Sequence, residues 1–474
     1  FPKEFSDRKM CVYAGTSSSF TFENPATGRP VTLTFPEKTH LMLQDDRKWV
    51  QTFTLRISPR GRRAFPKGDV RTFLCFVSSP DGVDVAVDQP VVVARGPEWI
   101  PLDYRKNIEA GSALDFSGMG LQDAPAGKHG FVRVVGHEFV TDAGPIRFNG
   151  TNLTGPANFP DHATADRLAD RLARLGVNCA RLHFMDTWYK NFMDERRQGI
   201  LADDAQTQRK LSPEQLDKLD YLIAALKKRG VYVNMNLHVG RTLDERDGLP
   251  GGSPWANKTV GQFMPRMVEL QREYARDLLT HVNRYTGNAY TDEPAVAMVE
   301  ISNEDSGLVM TRRRMGIKRL AQPFQDELQR QWNAWLKKRY PANEVGYANG
   351  KAPLLNKFPK ASPQFRKDFD DFLWDAELAY WKGMRDYVRE TLKARMPVSG
   401  TQAGHYSPRE IQAQLDYVDT HAYFHHPRGK GAPWVHKGVT NDWTAGGESL
   451  VHGLSTLQNL EKRHVANLPF TVSE

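Results

Sequence analysis

The stretch Ala295–Asp305, AVAMVEISNED, runs through small and branched apolar residues and then stops on Asn303, Glu304 and Asp305. An apolar run of about four to eight residues reads as a strand buried on both faces. Its polar end therefore marks where a buried sheet opens onto something that needs an amide and two carboxylates. The segment LPFTVSE repeats the design and delivers Glu474.

Working outward, apolar strands alternate with amphipathic helices from Gly130 onward, which argues for βα units and a parallel sheet. FVRVVGHEFV and PIRFNGTNL, joined by a turn at TDAG, read as a hairpin leading into the first strand. ATADRLADRLARLG places Leu168, Leu172 and Leu175 at helical spacing, with Gly176 where the helix stops. NCARLHF is the second strand, and SPEQLDKLDYLIAALKKRG is a helix with Ser212 as N-cap and Pro213 in its first turn. VYVNMNLH is the third strand, followed by a helix through MVELQREYARDLLTHVNRY and the opening stretch as the fourth strand. VSGTQ, LDYVDTHAYF and LPFTVSE supply the fifth, sixth and seventh, with LVHGLSTLQNLEKR as a helix before the last. Residues from about 305 to 395 exceed one βα connection and read as a helical insertion plus the fourth helix of the wall.

The expected fold class is α/β, a (β/α)8 TIM barrel over 128–474, with the eighth strand missing from the text and the natural chain expected to continue past Glu474. Before it, VTLTF, WVQTFTLRIS, VRTFLCFVSS and VDVAVDQPVVVA predict an N-terminal β-sandwich domain with a connector, together spanning 1–127. The chain opens on FPKEFSDRK rather than Met. A signal peptide already removed is the expectation, with a secreted or periplasmic protein.

At 474 residues, 40% hydrophobic and 25% charged, the chain falls in the globular range, and no window is apolar enough for a membrane span. The net charge of +8 comes from scattered basic runs such as TRRRMGIKR and LKKRY. These read as solvated helix faces, not as a nucleic-acid surface. Cys11, Cys75 and Cys179 carry no zinc spacing. Cys179 reads as a packed thiol, and a Cys11–Cys75 bridge stays open.

In a barrel of this kind chemistry sits at the C-terminal strand ends. Those ends here deliver Asn152, Arg181, His183, Asp186, His238, Asn303, Glu304, Gln402, His421, Tyr423 and Glu474. Two carboxylates in such a ring suit glycosidic-bond cleavage, one protonating the leaving oxygen and the other trapping the sugar. Glu300 shares strand parity with Glu304 and reads as half of a structural ion pair. Trp188, Tyr189, Trp255, Tyr406, Trp434 and Trp443 are candidate sugar-stacking rings, and His425 and His426 stay open.

These residues bring the region from about Gly130 onward close to a known group. EISNE at 300–304, RLHF at 181–184, LH at His238, THAY at 420–423, the closing TVSE and the entry GHEFVTDAGPIRFNGTNL resemble the cellulase-like glycoside hydrolases of family 5 and their clan A relatives. The resemblance implies Glu304 as general acid/base and Glu474 as nucleophile. It implies Asn303 on the sugar 2-hydroxyl, Arg181 and Tyr423 holding the nucleophile, and His238 and His421 around the reacting sugar, with His183 a further substrate-binding candidate. It implies a retaining hydrolase of a β-linked poly- or oligosaccharide, with carboxyls about 5–5.5 Å apart. Arg181 is expected to lower the Glu474 pKa, and burial to keep Glu304 protonated. Asp305 stands where the family often has Pro.

Two other readings stay open: a non-catalytic carbohydrate-binding protein on the same scaffold, and a metal-dependent barrel hydrolase using His183, His238 and His421. No HxH or HExxH spacing supports the second. No metal or cofactor is expected; the expected partner is a carbohydrate substrate, and no oligomeric state is read.

Overall fold

The computed structural model describes residues 11–24, 28–45, 53–58, 74–80, 82, 108–120, 122–186, 199–202, 209–241, 243–250, 258, 260–309, 317, 320–342, 344–347, 352–354, 361–404, 406–423 and 460–474. The chain divides into two compact units, Phe1–Val93 and Ala94–Glu474.

In the first unit, β1 (Cys11–Asn24), β2 (Arg29–Asp45) and β3 (Phe53–Ser58) pair antiparallel in that order, and β4 (Phe76–Ser78) also pairs with β2. Phe20, Leu33, Phe35 and Leu41 are its buried cluster. A sheet that would face this one to complete the expected sandwich is not among the described residues, and VDVAVDQPVVVA lies wholly outside them. Cys11, Cys75 and Cys179 are free thiols.

The second unit is α/β with a parallel sheet. A small antiparallel sheet of β5 (Arg133–Val135), β6 (Glu138–Thr141) and β7 (Gly144–Ile146) precedes it. Then β8 (Gly150–Thr154), β9 (Cys179–His183), β10 (Tyr232–His238), β11 (Val296–Ser302) and β12 (Val398–Ser399) lie side by side in chain order, all parallel. β13 (Val418–Thr420) pairs parallel with β14 (Phe470–Val472), and a parallel bridge between Gln402 and Asp419 joins the β12 side to β13. The Asn152 amide of β8 donates to the Ser473 carbonyl just after β14, at 2.8 Å.

β10 and β11 are buried at every position, as expected of strands covered on both faces. One face meets α1 (His162–Arg174), α2 (Pro213–Lys228) and α3 (Pro265–Leu279) through Leu172, Leu222, Leu226 and Leu278. The capping is local: Asp161 accepts from Thr164 N at 2.8 Å, and Ser212 from Gln215 N. At the N-terminal strand ends, Phe139 of the small sheet packs with Cys179, Tyr232, Ala297 and Tyr417, which floors the unit.

The segment from 305 to 395 holds α4 (Gln322–Arg339) and α5 (Pro363–Asp386). They share a second core around the fully buried Trp332, which meets Phe365, Phe369 and Phe372 edge-on or tilted. α5 also reaches the main core through Tyr380, Trp381 and Met384, so one 24-residue rod belongs to both. The text read as connector up to about 127 is tied to the second unit: Phe116 N donates to Arg174 O at 2.7 Å, and Ala126 N to Lys227 O at 2.8 Å. The helix expected before β14 lies largely outside the described residues. Among those described, no helix is long and apolar enough to cross a membrane.

Candidate active site

Parallel register aligns the polar positions. Asn152 pairs with Arg181 and Arg181 with Asn234, while Asn236 pairs with Glu300 and Glu300 with Ser399. Arg181 is 4% exposed and bonds across these strands. Its Nε and Nη2 grip Glu300 at 2.7 and 3.1 Å, Nη1 reaches Glu474 Oε1 at 2.6 Å, and Nη2 reaches Asn303 Oδ1 at 2.9 Å. Burial opposes the guanidinium charge, but Glu300, Glu474 and Asp419 overcome it and hold Arg181 firmly protonated. Glu300 is thus an ion-pair partner, as its strand parity suggested.

Glu474 is engaged on both oxygens. Arg181 holds Oε1, with His183 Nε2 at 3.4 Å from it, and the Tyr423 hydroxyl donates to Oε2. Burial raises its pKa, but His421, Arg181, His183 and the Tyr423 bond outweigh burial, and the net shift is downward. That agrees with the direction expected from Arg181. His183 is pushed down to about 4 by burial and then by Arg181, so it is neutral near pH 7. Its Nδ1 lies 2.7 Å from Asn236 Oδ1.

After β11 the backbone turns sharply, and Glu304 adopts φ 49°, the left-handed region that costs a non-glycine residue about 1–3 kcal/mol. Neighbouring strand ends hold the turn. Asn303 N donates to His238 O at 2.9 Å, Glu304 N to Gln402 Oε1 at 2.5 Å, and Asp305 N to Thr401 Oγ1 at 3.0 Å. The Glu304 carboxyl faces His421, whose Nδ1 lies 2.9 Å from Oε1 and 3.6 Å from Glu474 Oε2. A carboxylate oxygen of Glu304, one of Glu474 and a ring nitrogen of His421 all fall within 4.8 Å of one another. The two glutamates, 170 positions apart in sequence, therefore meet at one mouth.

The charge state of Glu304 corrects the expectation from sequence. Burial raises its pKa, but hydrogen bonds from His421 and Tyr406 and the charges of His421 and Lys258 bring it down to about 2. Glu304 rests ionised, not protonated. The group held protonated is its neighbour Asp305, at the position where Pro is common in the resembling family. Burial lifts Asp305 to about 8, with Glu377 adding to the rise, while Lys258, Ser302 and the Ser306 backbone oppose it.

A prediction follows from that shift. The folded value of Asp305 lies above its ordinary 3.8, so folding favours the protonated form. The associated stability is complete below about pH 4 and drains away as pH rises to about 8, at up to about 1.4 kcal/mol per pH unit. Asp305→Asn is expected to flatten this part of the profile in urea unfolding between about pH 5 and about pH 8. An unchanged slope in the variant would remove Asp305 as its source.

Of the other expected positions, His238 is buried with Nδ1 3.5 Å from Asp186 Oδ2. Asp186 accepts from Val239 N and Arg241 N at 2.9 and 3.1 Å, anchoring the turn after β10. Tyr423 is 41% exposed at the mouth. Tyr406, one of the candidate stacking rings, is instead buried and spends its hydroxyl on Glu304. Trp188, Tyr189, Trp255, Trp434, Trp443, His425 and His426 lie outside the described residues. Sequence reading missed Asn236, Asp419 and Lys258. The first two were findable, because they sit two positions before His238 and His421 on the same strand faces. Lys258 has no such signal.

Two acid–histidine clusters, Glu300–Asp419–His421 and Glu304–His421–Glu474, are tight enough to hold a cation. In both, Arg181 already compensates a carboxylate, through Glu300 in the first and Glu474 in the second.

No protein-family model matches the chain. It is 26% identical over 207 residues to mannan endo-1,4-beta-mannosidase 1 of Oryza sativa subsp. japonica, covering 40% of this chain and 43% of that protein. It is 25% identical over 210 residues to mannan endo-1,4-beta-mannosidase 5 of Arabidopsis thaliana, covering 40% and 44%. The chain spans less than half the length of these curated relatives. Among solved structures, an endo-1,4-beta-mannanase from Rhizomucor miehei is 16% identical, with a TM-score of 0.39 over 62% of this chain and 71% of that one. A glycoside hydrolase family 5 protein from Bacteroides vulgatus is 12% identical, with a TM-score of 0.37 over 74% and 55%. The likeness to glycoside hydrolases read from the strand-end motifs is matched by the curated relatives, both named as mannan endo-1,4-beta-mannosidases.

Proposed function

We propose that this chain carries the catalytic face of a retaining β-glycoside hydrolase whose substrate is a β-1,4-linked mannan or a close relative. The seven parallel strands in chain order are read as the wall of a (β/α)8 barrel, with its chemistry at the C-terminal strand ends. The observation carrying the proposal is the approach of Glu304, Glu474 and His421, with facing atoms within 4.8 Å. That closeness suits double displacement at about 5–5.5 Å better than the wider spacing that leaves room for a water in inverting enzymes.

In this reading the Glu474 carboxylate, held ionised by Arg181 and Tyr423, attacks the anomeric carbon. The bond from that carbon to the leaving oxygen breaks as Glu304 protonates it, leaving a glycosyl ester on Glu474. Because Glu304 rests ionised, it must take up the proton it delivers as substrate binds, and the 2.9 Å contact with His421 holds its carboxyl in place for that step. Water then attacks the ester's anomeric carbon while Glu304 takes the proton of that water, which regenerates the Glu474 carboxylate. Asn303, fixed by Arg181, faces the sugar 2-hydroxyl in this scheme, and His183 and His238 line the reacting ring. The mannan assignment leans on the names of the curated relatives.

The test is covalent. Incubation with 2-deoxy-2-fluoro-β-mannosyl fluoride is expected to inactivate the protein and add one fluoro-sugar mass to the peptide bearing Glu474. Label on another residue, or none alongside hydrolysis of mannan, would reject the assignment.

A further inference from the structure

We propose that Lys258 is a positioning residue for Glu304: its ammonium clamps the Asn303 carbonyl at the left-handed turn and supplies the charge against which Glu304 gains and releases its proton. The role rests on the glycosidase reading above, but the groups that define it are set by geometry. Lys258 Nζ donates to Asn303 O at 2.7 Å, one peptide before Glu304. The same turn is held by Gln402, Thr401 and the His238 carbonyl, all from adjacent strand ends. Lys258 adds what those neutral groups lack, a positive charge.

The carboxylates that act on that charge are Glu304, Asp186 and Glu474, with the carboxyl of Asp305 beside them. Burial brings the ammonium below the ordinary lysine value, and the carboxylates limit that fall. From the side of Glu304, the facing polar and charged groups are His421, Tyr406, Lys258 and Glu474, the last with an oxygen within 4.8 Å. His421 reaches Glu304 from the strand end after β13 and Tyr406 from the loop after β12, while Lys258 belongs to the chain between β10 and α3 and is anchored on the neighbouring Asn303 carbonyl. Removing its charge shifts the balance toward protonated Glu304, since a nearby opposite charge favours the ionised form of a carboxylate.

Three variants separate clamp from charge: Lys258→Arg keeps both, Lys258→Gln keeps a donor, and Lys258→Met keeps neither. The readout is the Glu304 carboxyl resonance in 13C-glutamate-labelled protein, assigned by difference against Glu304→Gln and followed from about pH 7 down to about pH 2. The midpoint is expected to rise by about one unit in the Gln and Met variants and to stay near wild type in Arg. On β-1,4-mannan, Lys258→Met is expected to lose about tenfold in kcat with KM changed less than about twofold, as for a group that acts through the catalytic acid. An unchanged midpoint in Lys258→Gln and Lys258→Met overturns the proposal, including when activity falls, because a purely structural lysine would give that result. If the wild type cleaves no β-glycoside, the glycosidase reading fails on its own, and the titration still decides the role of Lys258.

Discussion

Replacing Glu474 by alanine is expected to lower kcat on β-1,4-mannan by on the order of 10^5, the scale seen when an enzymatic nucleophile is removed. In the proposed mechanism the loss is chemical, because the side chain assigned to attack the sugar is gone while the rest of the mouth stays. Arg181 keeps Glu300 on two nitrogens and Asn152 Oδ1 at 3.2 Å, so the hub remains neutralised. Tyr423 loses its acceptor at an exposed position where water replaces it. Added azide is small enough to enter the vacated space and attack the same carbon. With an activated aryl β-mannoside it is expected to restore turnover and yield the α-mannosyl azide. Thermal melting beside the kinetics separates this from unfolding. Residual activity above about a tenth of wild type would take the nucleophile role away from Glu474.

Glu304→Gln should cost on the order of 10^3 on mannan, within the usual range for a positioned proton donor. The effect depends on the leaving group. A 2,4-dinitrophenyl glycoside departs without protonation, so its first step survives and the glycosyl ester accumulates as a burst. Azide then gives the β-mannosyl azide, the opposite anomer from the Glu474 variant. The wild-type pH profile on the activated substrate adds a sign check. The second step needs ionised Glu304, and a carboxyl held near 2 stays ionised through weakly acid conditions. Turnover limited by that step is therefore expected to persist as pH falls toward about 3, and to fail only as Glu304 gains its proton. An acid limb centred near the ordinary 4.5 would mean that His421, Tyr406 and Lys258 do not hold the group as the structure indicates.

The strands that carry the mouth were legible because they are written simply. AVAMVEIS and VYVNMNLH are apolar runs whose polar positions recur at spacing two, and the structure buries every residue of both. The helices were legible through their caps at Ser212 and through leucine spacing. β1 was not, because CVYAGTSSSFTFEN is rich in Ser and Thr and reads as loop until Phe20 and Phe22 are seen to face a core. The connector near Phe116 looked independent because backbone bonds to Arg174 leave no mark in side-chain pattern. The protonation of Glu304 was misread for a related reason. Its partners Tyr406 and His421 lie 102 and 117 positions away on other loops, and neither their approach nor that of Lys258 is local text. Burial of Glu304 was foreseeable; the groups that overrule burial were not.

The double grip of Arg181 on Glu300 has a consequence for how the molecule comes into being. On a ribosome, β9 and β11 emerge well before β14, and the guanidinium of the first can satisfy itself with the carboxylate of the second. The buried guanidinium is then neutralised before Glu474 is synthesised. Glu474 therefore joins a guanidinium that already has a partner, and the cross-strand pair does not depend on it.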